Sequence, residues 1–198
     1  VHDSEIIGDT LDIIQHSSGC PGYGNQHLYL RHDARGIRAD RSVIDGNVIT
    51  IEDTDDNNGS NIGIGIESYG DVSNRSLIQN NEMIAKSYTK GIWAEYSDIL
   101  NNIIIGENNG EWSIGGGLEK TIISNIINNM KHGIIISDAG NNNIITDNMV
   151  EVHNANGIYI NNSNAIINHN MIISGGRSIH CENQSGLELS NNTLIGTG

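Results

Sequence analysis

Three carboxylates, Asp40, Glu67 and Glu95, each close a five-residue stretch of one form: Gly36-Ile37-Arg38-Ala39-Asp40, Gly63-Ile64-Gly65-Ile66-Glu67 and Gly91-Ile92-Trp93-Ala94-Glu95. Stacked on consecutive coils of chain, neighbouring carboxylates would lie ~5 Å apart and alternate ones about 9.6 Å apart, one and two strand spacings. Such separations serve glycosidic cleavage, about 5–5.5 Å for an acid and a nucleophile and roughly 6.5–9.5 Å for an acid and a base with water between them. Like charges that close also raise the pKa of at least one member. Asp40, Glu67 and Glu95 are therefore the catalytic candidates. Trp93, beside them in sequence, offers a flat apolar platform of the kind sugars stack on. Arg38 supplies a counter-charge or a clamp, and Trp112 and Tyr159 complete the substrate-binding set. The competing reading is that solvent-facing acids align by chance on a strongly acidic chain.

Other chemistry-bearing residues point less sharply. The histidines form no ligand cluster by spacing, so no metal is assigned to them. The stretch Glu52-Asp53-Thr54-Asp55-Asp56-Asn57-Asn58-Gly59 is similar to a calcium loop, with Asp53, Asp55 and Asn57 at alternate positions. Its glycine falls one place late and its twelfth position is Ile64, so a solvated loop is the preferred reading, with calcium the alternative. Arg31, Arg35, Arg38 and Arg41, with His32, make a basic patch that could hold an acidic polysaccharide or dock another domain or subunit. Cys181 falls on an inward position and reads as a small buried hydrophobe. Cys20 lies several coils away, beyond the ~7 Å that a disulfide can bridge.

The elements that position these residues are set by a period. Asn81, Asn102, Asn125, Asn148, Asn170 and Asn192 each precede an apolar pair, at spacings of 21, 23, 23, 22 and 22 residues, and Asn47 extends the series. A period in this range marks a repeat in which no unit can bury its apolar face alone. Between the asparagines, Gly133-Ile134-Ile135-Ile136-Ser137, Gly157-Ile158-Tyr159-Ile160-Asn161 and their counterparts alternate with period two, as strands buried on one face do. Asn, Gly, Ser and Asp supply the turns, and no repeat has room for a helix. The expectation is an all-β fold: a single-stranded right-handed parallel β-helix of about 7–9 coils, each ~22 residues long. The asparagines should form a side-chain ladder along the rod. Residues 36–195 make the regular repeats and residues 1–35 irregular N-terminal coils of the same domain, 1–198. Insertions at 52–59, 69–74 and 107–112 gather on one part of the rod, where binding walls are built.

Runs such as GIIISDAGNNNIITDNM and GIYINNSNAIINHNMI resemble the parallel β-helix repeats of the pectate-lyase-like superfamily. That resemblance implies the coil architecture and a carbohydrate-related role among polysaccharide lyases, glycoside hydrolases, alginate epimerases, phage tailspikes and non-catalytic periplasmic proteins. The Asp-Pro-His motif of the epimerases and the Gly-His-Gly motif of polygalacturonases are absent.

The net charge of −14 argues against nucleic acid and anionic membranes as partners. No run of 18 apolar residues exists to span a bilayer. The expected role is a secreted or extracellular protein, periplasm or virion surface included, that binds and cleaves a polysaccharide along the outer face of the rod. The alternative is a non-catalytic β-helical rod: a tailspike segment, adhesin or periplasmic binding module. An uncapped coil end is an open sheet edge, so the chain is expected to be part of a longer one or to meet a partner there.

Overall fold

The computed structural model describes residues 5–8, 10–15, 35–53, 63–87, 89–107, 110–184 and 186–196. Two strands come first, β1 (Glu5–Ile7) and β2 (Thr10–Gln15). Three-strand coils follow: β3 (Arg35–Arg38), β4 (Val43–Asp45) and β5 (Val48–Asp53), then β6 (Ile64–Tyr69), β7 (Ser76–Gln79) and β8 (Glu82–Ser87). The next two are β9 (Lys90–Glu95), β10 (Ser97–Leu100) and β11 (Ile103–Glu107), then β12 (Trp112–Gly115), β13 (Lys120–Ile123) and β14 (Ile126–Met130). In the following coils one long strand runs through a corner and serves two faces: β15 (His132–Thr146) with β16 (Met149–Val152), and β17 (Ile158–Asn168) with β18 (Met171–Ser174). The last coil is β19 (Ile179–Glu182), β20 (Leu187–Ser190) and β21 (Thr193–Gly196).

Every pairing is parallel and joins a strand to its counterpart one coil away. Three faces result. The first runs β3-β6-β9-β12-β15-β17-β19, the second β1-β4-β7-β10-β13-β15-β17-β20, and the third β2-β5-β8-β11-β14-β16-β18-β21. The chain is thus an all-β parallel solenoid without helix among the described residues, and its coil count roughly agrees with that expected from the period.

The core explains the composition. Each face contributes a continuous inward column: Ile37, Ile66, Ile92, Ile114, Ile134 and Ile158 from the first, Ile44, Ile78, Ile99, Ile122, Ile145 and Ile167 from the second, Ile49, Met83, Ile104, Ile127, Val150 and Ile172 from the third, with further inward residues such as Ala94, Ile136, Ile160 and Ile51 beside them. Branched aliphatic side chains stacked at one strand spacing fill a narrow triangular interior, and no Phe occurs in the chain. In the pairs after Asn102, Asn125 and Asn148, only the second residue enters the core. Ile104, Ile127 and Val150 are wholly buried, whereas Ile103, Ile126 and Met149 stand outward in one row at about two-fifths exposure.

The asparagine ladder is present from Asn47 to Asn192. The Oδ1 of each asparagine accepts both the backbone N–H and the Nδ2–H of the asparagine one coil earlier, at 2.9–3.0 Å from Asn47 to Asn102. Each amide also donates to a carbonyl of the preceding coil, as Asn148 Nδ2 does to Ile122 O at 2.9 Å. The residue before each rung holds a left-handed backbone: Gly46, Asn80, Asn101, Ser124, Asp147, His169 and Asn191, with φ between 51° and 67°. Asn, Asp and Gly tolerate that region best, which is why Asn pairs recur at this corner.

A second column, Gly36, Gly65, Gly91, Gly133 and Gly157, opens the strands of the first face. A Cβ on Gly133 would lie 2.1 Å from Gly157 O, and one on Gly36 2.4 Å from Gly65 O. These glycines are required by the close approach of successive coils.

Candidate functional site

The first outer face corrects the stack of three carboxylates. Gly65, not Gly63, belongs to the glycine column, so Ile66 stands opposite Ile92 and Glu67 opposite Trp93. Arg38 is opposite Glu67 on the other side, and Tyr69 is opposite Glu95. The row running along the rod is therefore Arg38, Glu67, Trp93 and Gly115, and the next row sets Tyr69 between Asp40 and Glu95. Asp40, Glu67 and Glu95 share a face but not one column. The error has a simple origin. Gly63-Ile64-Gly65-Ile66 repeats its own dipeptide, and a slip of two residues leaves the inward and outward sets unchanged.

Glu67 is 5% exposed. The Tyr69 hydroxyl donates to its Oε1 at 2.9 Å, and Arg38 Nε lies 3.6 Å from its Oε2. Burial, together with this hydrogen bond and the charge of Glu67, pushes the Tyr69 phenol up to about 12. Tyr69 is therefore a fixed donor at neutral pH, and Glu67 a carboxylate held in place rather than a mobile one.

One coil on, the two tryptophans form a shelf. Their ring centroids are 5.8 Å apart and the planes are inclined by 31°. Lys90 Nζ lies 4.8 Å from the Trp93 ring centroid and 4.2 Å from that of Trp112, a double cation–π contact. Lys90 begins β9 directly opposite Trp112. Trp93 lies down over Gly115: a Cβ at that glycine would be 3.2 Å from two atoms of the indole. Gly117 accommodates Glu95 in the same way, its Cβ position being 3.2 Å from Glu95 Oε1. The run Gly115-Gly116-Gly117 is thus a bare seat for the two side chains projecting from β9.

Tyr159 does not join this shelf. It stands opposite Ile135 and His180 toward the far end of the same face. There its ring centroid is 5.1 Å from that of His180, its hydroxyl donates to Glu182 Oε2 at 3.0 Å, and His180 Nε2 lies 3.0 Å from Glu182 Oε1. Residues 54–62 of the acidic insertion, Cys20 and Arg31 lie outside the described residues. Cys181 faces inward opposite Ile160 and packs on the core, and burial raises its thiol pKa.

Sequence reasoning passed over four residues that the geometry puts forward: Tyr69, Lys90, Gly115 and Lys120. Aligning Gly65 with Gly91 would have found Tyr69. Lys90 and Gly115 need the register of β9 against β12, and Lys120 needs its burial.

A family model described as "Periplasmic copper-binding protein (NosD)" matches residues 14–197. The chain belongs to this family, which places it among periplasmic β-helix proteins. No curated protein and no solved structure matches it. The family description names copper. Among the described residues, no group of three or more His, Cys, Asp or Glu side chains converges. His180 is engaged with Arg177 and Glu182. Met149 and Met171 stand opposite one another on the third face, but Ile126 and Thr193 flank them in the row, so the pair has no third sulfur or imidazole beside it there. The described residues do not make up a copper donor set.

Proposed function

We propose that this chain is a non-catalytic periplasmic β-helical module that grips an extended ligand along its first outer face, with a polysaccharide as the partner. The Trp93–Trp112 shelf is the observation that carries the reading. Two half-buried indoles, braced by Lys90 and seated on glycine, give a flat, pre-formed apolar surface on a rigid sheet. Arg38, more than half exposed in the same row and braced from below by the buried Glu67, adds polar contacts for hydroxyl groups, and Tyr159 extends the track. The burial of Glu67 and its tethering by Tyr69 and Arg38 suit a carboxylate that fixes Arg38 better than an acid that must shuttle a proton to a substrate. The wider placement among pectate-lyase-like β-helices is carried within the same proposal, on the form of the coils.

Isothermal titration against neutral and acidic oligosaccharides, with parallel monitoring of new reducing ends and unsaturated ends, tests this reading. Binding without products is expected. Trp93→Ala should weaken binding about tenfold, ~1.4 kcal/mol. Products that vanish in Glu67→Gln or Glu95→Gln would restore these residues and Asp40 as acid/base candidates. Binding that is indifferent to Trp93 would move the ligand off the shelf.

A further inference from the structure

Lys120 is the largest fully buried side chain among the described residues. It begins β13 opposite Ser97, whose counterpart on the coil before is Ser76, so a four-carbon amine occupies a corner where the two preceding coils carry small hydroxyls. Its Nζ donates to Gly117 O and, at 3.0 Å, to Leu118 O, the carbonyls of the loop joining β12 to β13. That loop is the glycine seat. Gly116 has φ +125°, and a Cβ there would lie 2.2 Å from Ala94 O, so the loop rests directly on β9 beneath Trp93 and Glu95.

We propose that Lys120 is a positioning residue for the tryptophan shelf: from inside the coil it clamps the loop on which Trp93 and Glu95 sit, and the clamp changes state with the proton on its amine. The consequence for ligand binding rests on the reading above; the switch itself does not. A neutral amine has two N–H groups for two carbonyls, whereas an ammonium carries a third that finds no acceptor among the described residues. Burial pushes the lysine down to about 7, opposed by Glu95 on β9 and reinforced by Arg75 ahead of β7. The other charged groups near this corner are engaged elsewhere: Asp98 with Arg75, and Glu119 with Asn142.

The chain contains only two tryptophans, both on the shelf, so intrinsic emission reports the site without a ligand. Emission of the intact protein is titrated from pH about 5.5 to about 8.5, alongside Lys120→Met and His132→Gln, the latter because His132 stands opposite Trp112 and is the titratable imidazole nearest the shelf in register, its pKa lowered by burial. A transition near pH 7 is expected in the wild type and in His132→Gln, and its loss in Lys120→Met, which should keep the high-pH emission. In parallel, the Cε resonance of Lys120 in lysine-labelled wild-type protein should titrate with the same midpoint, a measurement independent of whether the variant folds. A transition that survives in Lys120→Met, one that disappears in His132→Gln, or a lysine resonance without a midpoint near 7 overturns the proposal. Failure of all oligosaccharide binding with the emission transition intact would sink the ligand and leave the switch.

Discussion

A single buried amine shows how far one residue can shape the behaviour of this chain. Lys120 has its pKa lowered from 10.5 to about 7 in the folded state, chiefly by burial. Below pH 7 it is charged both folded and unfolded, and the desolvation cost is fully present. Between pH 7 and 10.5 the unfolded chain binds more protons than the folded one, so stability rises with pH across that window. Melting temperature should therefore climb from neutral pH toward pH about 10, and Lys120→Met should be more stable at pH 7 and flatter with pH. A wild-type profile that falls over this range would contradict the assignment. Near this residue the sequence was least informative. Lys120 looks like any surface lysine until β13 is known to start at an inward corner.

At the scale of the element, the recurring unit is a corner and not a strand. A left-handed residue is followed by an asparagine whose amide ties three coils together. Asn148 Oδ1 accepts from Asn125 N and Nδ2, and its own Nδ2 reaches Ile122 O, Thr146 O and Asn170 Oδ1. Asn148→Ala orphans donors and acceptors on both neighbours within a buried corner, at ~1–3 kcal/mol for each group left unsatisfied. Thermal and denaturant unfolding should show a loss of at least that size, and an unchanged melting temperature would rule out a structural ladder. This element was legible in advance because its hydrogen bonds demand asparagine at the rung, whereas the turn before it accepts Gly, Asn, Ser, Asp or His. The strand before it was not. Gly63-Ile64-Gly65-Ile66 satisfies the alternation in two registers, and only contact with Gly91 O and Met83 selects Gly65.

The whole molecule is a narrow rod with a net charge of −14. Like charges spread along a solenoid repel, and no bulky interior dilutes them. Exposed ion pairs such as Lys131–Glu111 and Lys86–Glu107 are local and weak by comparison. Salt should therefore stabilise this protein: raising ionic strength from about 0.01 M to about 0.5 M shortens the screening length several-fold and is expected to raise the melting temperature. A fall on adding salt would show that the specific pairs outweigh the general repulsion.

What the amino-acid order determined unaided was the coil. A period of about 22 residues, isoleucine at alternate positions and asparagine before each apolar pair leave parallel stacking as the means of burying every apolar face at once. Tertiary structure alone decided which outward side chains meet. Outward positions carry no core constraint, so a two-residue slip costs the pattern nothing while it replaces Glu67 by Tyr69 beside Glu95. The tryptophan shelf arises for the same reason: Trp93 and Trp112 occupy different positions of their coils and touch because Gly115 lets one indole lie down. Contacts across coils depend on register, close approach and side-chain direction, and these exist only once the coils are stacked.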